Sequence, residues 1–295
     1  MAVGSIGQIH KARSMHDERP LILKLRHPQI EEELVQWERW VLPWMRVLVF
    51  HDVDLSALIN YLRSQLDFSV EATNMRLVHE KYHSFSAHIK IPNVVGSESS
   101  MILMEDVPSR HIPDQNDFLP VSCFRLWIMD MILEHGILHG DLHFGNWGVG
   151  EDYVVIYDWG CVFYSENIKI LTMALFHRRG PKEIQHALGR FFGPLADYEF
   201  MEWYQLWENH HFRFTRVVTQ SFIRLLQPHF KFDDNTLCFL SFLTFYSVVD
   251  QYTFVAEMDV DEMMRFQLAV LRSKKILPSM QFRLENFLHS HSEPS

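Results

Sequence analysis

Cysteine is scarce in this chain: three among 295 residues, Cys123, Cys161 and Cys238. Their odd number and wide spacing exclude a disulfide framework and a paired-cysteine zinc signature, and they fit a reducing compartment. Basic charge is also short. Lysine and arginine number 27 against 37 aspartates and glutamates, for a formal net charge of −10. No basic stripe gathers along the sequence, which speaks against nucleic acid as a partner. Eighteen histidines add positive charge only below about pH 6.5. No apolar run is long enough to cross a bilayer; the most apolar, residues 238–249, closes on Asp250 and Gln251 and reads as a buried helix. The sequence shows no internal repeat or low-complexity tract, and its first residues do not read as a signal or transit peptide. The opening ten residues, MAVGSIGQIH, read as the interior of a folded domain and predict further sequence upstream.

What the chain has in quantity is apolar side chain, 47% of its residues, enough for one large core or two lobes. Residues 1–107 mix strands and helices. Strands are predicted at 6–13 and 21–26, joined by a polar turn at 14–20. Pro28 suits the first turn of a helix carrying Glu31–Glu33 near its positive end and Trp37, Trp40 and Trp44 beyond, with Pro43 to kink or stop it. Asp54 is a candidate N-cap for a long helix whose Leu55, Leu58, Ile59, Leu62 and Leu66 keep helical spacing. Short strands follow near 89–91 and at 101–107. After a loop at 108–120 come a helix at 124–135, a loop at 136–147 and a strand at 153–157. Amphipathic helices run from 166 to about 288, punctuated by Gly180-Pro181, Gly193-Pro194 and Pro228. Residues 290–295 read as a disordered tail.

The strongest chemical signal is His139-Gly140-Asp141-Leu142-His143-Phe144-Gly145-Asn146, followed by the strand that delivers Asp158-Trp159-Gly160. The pattern is H-x-D-x₄-N on a loop and then Asp-aromatic-Gly. Phosphoryl transfer needs a carboxylate near the acceptor and oxygen ligands that hold Mg²⁺ on the phosphates. Asp141 is the candidate base or water-positioning group, Asn146 and Asp158 the candidate metal ligands, and Gly160 lets the backbone turn sharply behind the ligand. His135, His139 and His143 recur every four residues, but Gly136 and Gly140 break any helix that would align them as a metal cluster. Lys24 sits inside the apolar strand Leu21-Ile22-Leu23-Lys24-Leu25-Arg26, where an unpaired ammonium is costly and an anion is expected beside it; the bland alternative is a snorkelling edge lysine. Glu71, in Asp67-Phe68-Ser69-Val70-Glu71-Ala72-Thr73-Asn74, is the candidate partner.

The loop motifs alone resemble both protein kinases and small-molecule phosphotransferases of the aminoglycoside and choline kinase type. The amino-terminal segments Ala2-Val3-Gly4-Ser5-Ile6-Gly7-Gln8-Ile9-His10, Leu23-Lys24-Leu25-Arg26-His27-Pro28 and Asp67 to Asn74, in that order, resemble the UbiB (aarF-domain-containing) family of atypical kinases. That family carries an A-A-A-S-I-G-Q-V-H loop, a V-A-V-K-V-Q-H-P strand and an E-x-D-x₃-E-A-x-N helix. The resemblance covers about residues 2–162.

It implies an α+β, protein-kinase-like, two-lobed fold. Residues 1–107 would form a small mixed strand and helix N-lobe, shortened at its start and lacking the family's K-x-G-Q extension and the strand before the phosphate loop. Residues 108–289 would form a mainly helical C-lobe. ATP and Mg²⁺ are the implied cofactors. Ala2, Gly4, Ser5, Gln8 and Lys24 would contact the nucleotide, Glu105 and Val107 would offer hinge backbone to adenine, and Asp141, Lys24 and Glu71 would serve catalysis. The implied role is in coenzyme Q (ubiquinone) or related lipid metabolism, with a lipid or prenylquinone precursor and a membrane or coenzyme Q biosynthetic protein as partners, in the mitochondrion if the source is eukaryotic. Two departures stand out: Gln65-Leu66-Asp67 replaces E-x-D, and Gly4 replaces an alanine. A small-molecule phosphotransferase and a non-catalytic pseudokinase remain the alternative readings.

Overall fold

The computed structural model of the chain describes residues 2–3, 6–40, 56–82, 88–110, 118–143, 145–176, 180–211, 215–229 and 233–251. The chain divides into two compact units: residues 1–121, 143–162 and 232–234 form one, and residues 122–142, 163–231 and 235–295 the other.

The first unit is built on a five-stranded antiparallel sheet in the order β1-β2-β3-β6-β5, from β1 (Ala2–Val3), β2 (Gly7–Arg13), β3 (Pro20–Arg26), β5 (Val94–Glu98) and β6 (Met101–Glu105). The predicted strand pair is β2 and β3, in register from Gly7 opposite Arg26 to Arg13 opposite Pro20. Its polar turn closes through the Ser14 amide on the Arg19 carbonyl and the Glu18 amide on the Ser14 carbonyl. A strand does precede the loop: Ala2 and Val3 pair with Ile9 and Gln8. Gly7 is required by closeness, because a Cβ there would lie 2.6 Å from the Leu25 carbonyl oxygen.

Among the described residues, helices α1 (Ile30–Trp40), α2 (Ser56–Gln65) and α3 (Phe68–Tyr82) join this sheet in the first unit. α3 packs on β5 and β6 and buries Phe68, Ala72, Met75 and Val78, a stripe at helical spacing. The single long helix expected here is two. The amides of Leu66 and Asp67 turn back to the carbonyls of Arg63 and Ser64, and the Asp67 carboxylate then accepts the Ser69 amide at 2.9 Å. Asp67 is thus the N-cap of a fresh helix. The Asp54 cap, Pro43 and Trp44 lie outside the described residues.

A second sheet in this unit runs β4 (Ile89–Lys90), β9 (Val154–Ile156), β8 (Trp147–Val149). β8 and β9 form a buried antiparallel hairpin with Trp147 opposite Ile156. Their six residues are buried on both faces, which explains their continuous apolar composition.

The second unit contains most of α4 (Phe118–His135), then β7 (Ile137–His139) paired with β10 (Val162–Tyr164). Between α4 and β7 the chain turns at Gly136, φ 61°. Then come α5 (Glu166–Phe176), α6 (Pro181–Phe192), α7 (Asp197–Asn209), α8 (Arg216–Leu226) and α9 (Asp234–Gln251). Pro181 opens α6 and Gly193, φ 79°, closes it, the asymmetry expected of helix ends. The core is aromatic: Trp203, Trp207, Phe200, Phe222, Phe239 and Phe242 are fully buried. The apolar run at 238–249 lies within α9, where Cys238, Phe239 and Phe242 are buried. No described helix is long and apolar enough to cross a membrane. Residues 252–288 and the tail lie outside the described residues.

Candidate active site

Lys24 stands in the middle of the five-stranded sheet, opposite Ile9 on β2 and Ile102 on β6. Its side chain, 12% exposed, reaches Glu71 Oε2 at 2.8 Å and Asp158 Oδ2 at 3.3 Å. It also lies 5.0 Å from the centroid of the Phe68 ring. Phe68 and Glu71 are one turn apart on α3, so a single helix face supplies both an apolar wall and a counter-ion. The edge-snorkel reading of Lys24 therefore fails: its ammonium is turned inward onto two carboxylates.

Burial favours neutral Lys24, but Glu71 and Asp158 outweigh it and hold the lysine above its ordinary pKa. Burial raises the carboxyl of Glu71; Lys24 opposes that rise and Asp158 adds to it. Two carboxylates share one ammonium. Glu71 is 3% exposed while Asp158 is 39% exposed, so the site keeps one carboxylate sealed and one open to a ligand.

Asp158 has φ 55°, a left-handed backbone that non-glycine residues hold when their surroundings fix it. Four hydrogen bonds supply those surroundings. The Asn74 amide donates to the Trp159 carbonyl at 2.9 Å, and the buried Trp159 indole donates to the Ile156 carbonyl at 3.2 Å. The Gln65 amide donates to the Gly160 carbonyl at 2.9 Å, and the Tyr61 hydroxyl donates to the Cys161 sulfur. Gly160 lies in the turn that follows β9; its φ is outside the left-handed range, and a Cβ there would sit 3.0 Å from Gln65 Oε1, which would have to give way.

Asn146, 7% exposed, extends the β8–β9 hairpin by one step: its carbonyl accepts the Tyr157 amide at 2.7 Å. Asn146 and Asp158 therefore emerge from the same end of one hairpin. An amide oxygen and a carboxylate are hard ligands, and that donor set fits Mg²⁺, which takes its remaining positions from water and phosphate. Among the described residues no three His, Cys, Asp or Glu side chains gather as a metal site.

Of the other expected residues, Ala2 pairs with Ile9, while Gly4 and Ser5 lie outside the described residues. Gln8 Oε1 is 3.2 Å from the His10 ring. Of the two residues expected to meet adenine, the Glu105 amide donates to the Asn93 carbonyl at 2.9 Å, and the Val107 carbonyl accepts the Tyr157 hydroxyl at 3.2 Å. Asp141 belongs to the second unit, exposed on the turn after β7, with its amide on the buried His139 Nδ1 at 3.3 Å. Sequence reasoning gave no role to Asn74, Phe68 or Tyr61, and read Gln65 only as a departure. A polar side chain three residues from Glu71, on a face otherwise buried, was the available signal for Asn74.

The family model for the ABC1 atypical kinase-like domain matches residues 1–178, which contain every residue named above. A protein of Paramecium bursaria Chlorella virus 1 is 26% identical over 180 residues, covering 57% of this chain and 38% of that protein. The ABC1 family protein MCP2 homolog of Schizosaccharomyces pombe is 25% identical over 162 residues, covering 50% of this chain and 29% of that protein. The match thus spans about a third of the length of these curated relatives. Among solved structures, Rv3197 of Mycobacterium tuberculosis, determined with erythromycin, superposes with a TM-score of 0.53 at 20% identity, over 68% of this chain and 57% of that one. That likeness establishes the shared fold. With its inward lysine on a helical glutamate, its Asp-Trp-Gly strand end and a family match over more than half its length, the chain belongs to the ABC1 atypical kinase-like family, the domain family of the UbiB and ADCK proteins.

Proposed function

We propose that this chain binds ATP with Mg²⁺ and transfers or hydrolyses the terminal phosphate, acting in coenzyme Q or related lipid metabolism. The observation that carries the reading is Lys24, kept charged and aimed by the sealed Glu71 at the open side of Asp158. A fixed cation beside an exposed carboxylate suits a phosphate chain with its metal, because one neutralises phosphate oxygens and the other holds the ion. Lys24 would bind phosphate and Glu71 would orient it. Asn146 and Asp158 would supply the metal's oxygen ligands. When bound, Mg²⁺ offsets the charge that gathers on the phosphate oxygens. Ala2 on β1, Gln8 on β2, and Gly4 and Ser5 between them in sequence would cover the phosphates, and the backbone of Glu105 and Val107 would meet the adenine edge.

Asp141 would take the proton of the acceptor hydroxyl, or of water, as the acceptor oxygen bonds to phosphorus and ADP departs. Family membership supports a lipid or prenylquinone precursor as the acceptor's chemical setting. It also supports contact with a membrane or a coenzyme Q biosynthetic protein, in the mitochondrion of a eukaryotic source. The test is thermal unfolding with Mg²⁺-ATP. A ligand bound only by the folded state at a hundredfold excess over Kd should raise the midpoint by about 5 °C, and Asp158→Asn should remove most of that rise. An equal response from both proteins ends the metal role of Asp158. No response from the parent ends the nucleotide reading.

A further inference from the structure

Four consecutive residues, Asp158 to Cys161, are each gripped by a side chain from β3, α2 or α3 of the same unit. Lys24 holds the Asp158 carboxylate at 3.3 Å, Asn74 the Trp159 carbonyl at 2.9 Å and Gln65 the Gly160 carbonyl at 2.9 Å, with Tyr61 on the Cys161 sulfur. Tyr61 and Gln65 are four residues apart on α2, and Glu71 and Asn74 three apart on α3, so each helix presents one face to the segment. The grip fixes backbone at the place where Asp158 holds its left-handed φ of 55°.

The chemistry of Gln65 is restrictive. Its partner is a carbonyl, so it must donate, and a carboxylate of the same length would set acceptor against acceptor. A methyl group built on Gly160 would lie 3.0 Å from Gln65 Oε1 and 3.5 Å from Asp158 Oδ1. The amide and the carboxylate therefore border one small space, and a negative charge at 65 would stand beside that of Asp158.

We propose that Gln65 is a positioning residue for the metal ligand: its carboxamide holds Gly160, and through it the Asp158 backbone, in the conformation that presents the Asp158 carboxylate to a divalent cation. The inference rests on the Mg²⁺–nucleotide reading above. It assigns a task to the amide at the one place where Gln65-Leu66-Asp67 departs from an E-x-D pattern.

The test is Mn²⁺ titrated by electron paramagnetic resonance into the whole chain with saturating ADP. Gln65→Glu should weaken Mn²⁺ about tenfold and Gln65→Met, which removes the donor without adding charge, about threefold. ADP affinity in EDTA should stay within about twofold of the parent for both, because the grip acts on the metal ligand rather than on Lys24. A merely structural role would instead lower ADP affinity in EDTA and the unliganded melting temperature together, and that result overturns the proposal. If Gln65→Glu does not fold, Gln65→Met carries the measurement. Mn²⁺ affinity unchanged in the Gln65 variants but lost in Asp158→Asn overturns the proposal alone. A parent that takes up no Mn²⁺ overturns it together with the reading on which it rests.

Discussion

In the first unit the decisive buried side chains are charged: Lys24 and Glu71 sit 2.8 Å apart inside a sheet-and-helix sandwich. In the second they are rings. Trp203 stacks on Phe222 at 4.3 Å and on Trp207 at 5.3 Å, and Phe192 meets Phe239 edge-on at 4.8 Å. A buried ion pair works only with both members present and correctly aimed, because either alone is an uncompensated charge. An aromatic cluster asks for volume and tolerates exchange among apolar shapes. The first arrangement constrains residue identity, and the second constrains size.

The largest expected effect tests the aromatic side of that contrast. Trp203→Ala should destabilise the protein by about 4 kcal/mol through the cavity it leaves, measured by denaturant unfolding, while Trp203→Phe recovers most of the loss. Recovery by Phe is what a size constraint requires; a full loss in both variants would show that Trp203 is held by identity after all.

Lys24→Met should cost roughly 3 kcal/mol near neutral pH by stranding Glu71. The sign with pH follows from burial, which raises the Glu71 carboxyl. Without the ammonium the main opposition to that rise is gone, and only the Trp159 backbone hydrogen bond still counters it. A carboxyl with a raised folded pKa favours the folded state in its protonated form, so the deficit should shrink in acid and grow as pH climbs through the elevated pKa. A deficit independent of pH would mean that Glu71 finds another partner. Asn74→Ala removes one hydrogen bond to the Trp159 carbonyl and should cost about 1 kcal/mol, with a smaller response to Mg²⁺-ATP in thermal unfolding.

The smallest effect is an expected silence. All three cysteines are buried, and burial pushes the Cys123 thiol up to about 12, far from the thiolate that reacts. No thiol should label in the native protein at about pH 8. Earlier labelling of Cys161 than of Cys123 and Cys238 would show that the ion-paired unit opens before the aromatic one.

The same contrast governs how much was legible in the sequence. Lys24 could be found because a charge within an apolar run has few explanations, Asp158 because a strand delivers it in an Asp-aromatic-Gly motif, and Glu71 as the lysine's expected partner; the structure brings the three together. The β2–β3 pair was visible in its alternation and turn. Other features left weaker traces. β7 and β8 are three-residue strands, the first flanked by Gly136 and Gly140 and the second containing Gly148, too short for any period to register, and neither reads as a strand. β5 contains Gly96 at a register shift, which disguised it as well. The apolar spacing of α2 runs through Leu62 to Leu66 and meets Phe68 without a gap, so periodicity could not reveal the break that the Asp67 cap imposes. The segment grip was hidden for a different reason: Gln65 and Asn74 act on backbone carbonyls about 85 to 95 residues away, and a carbonyl leaves no signature in the sequence of its partner.

At φ 55°, Asp158 is a position where durability and purpose pull in different directions. Glycine would relax the backbone there, asparagine would fit it about as well as aspartate, and alanine would fit it worse than either. Thermal stability among these three replacements should therefore follow backbone tolerance, in the order Gly, Asn, Ala, whereas each equally deletes the carboxylate. Aspartate at 158 thus sets an ion pair with Lys24 at 3.3 Å against the ease of its own backbone, and the three replacements weigh one against the other.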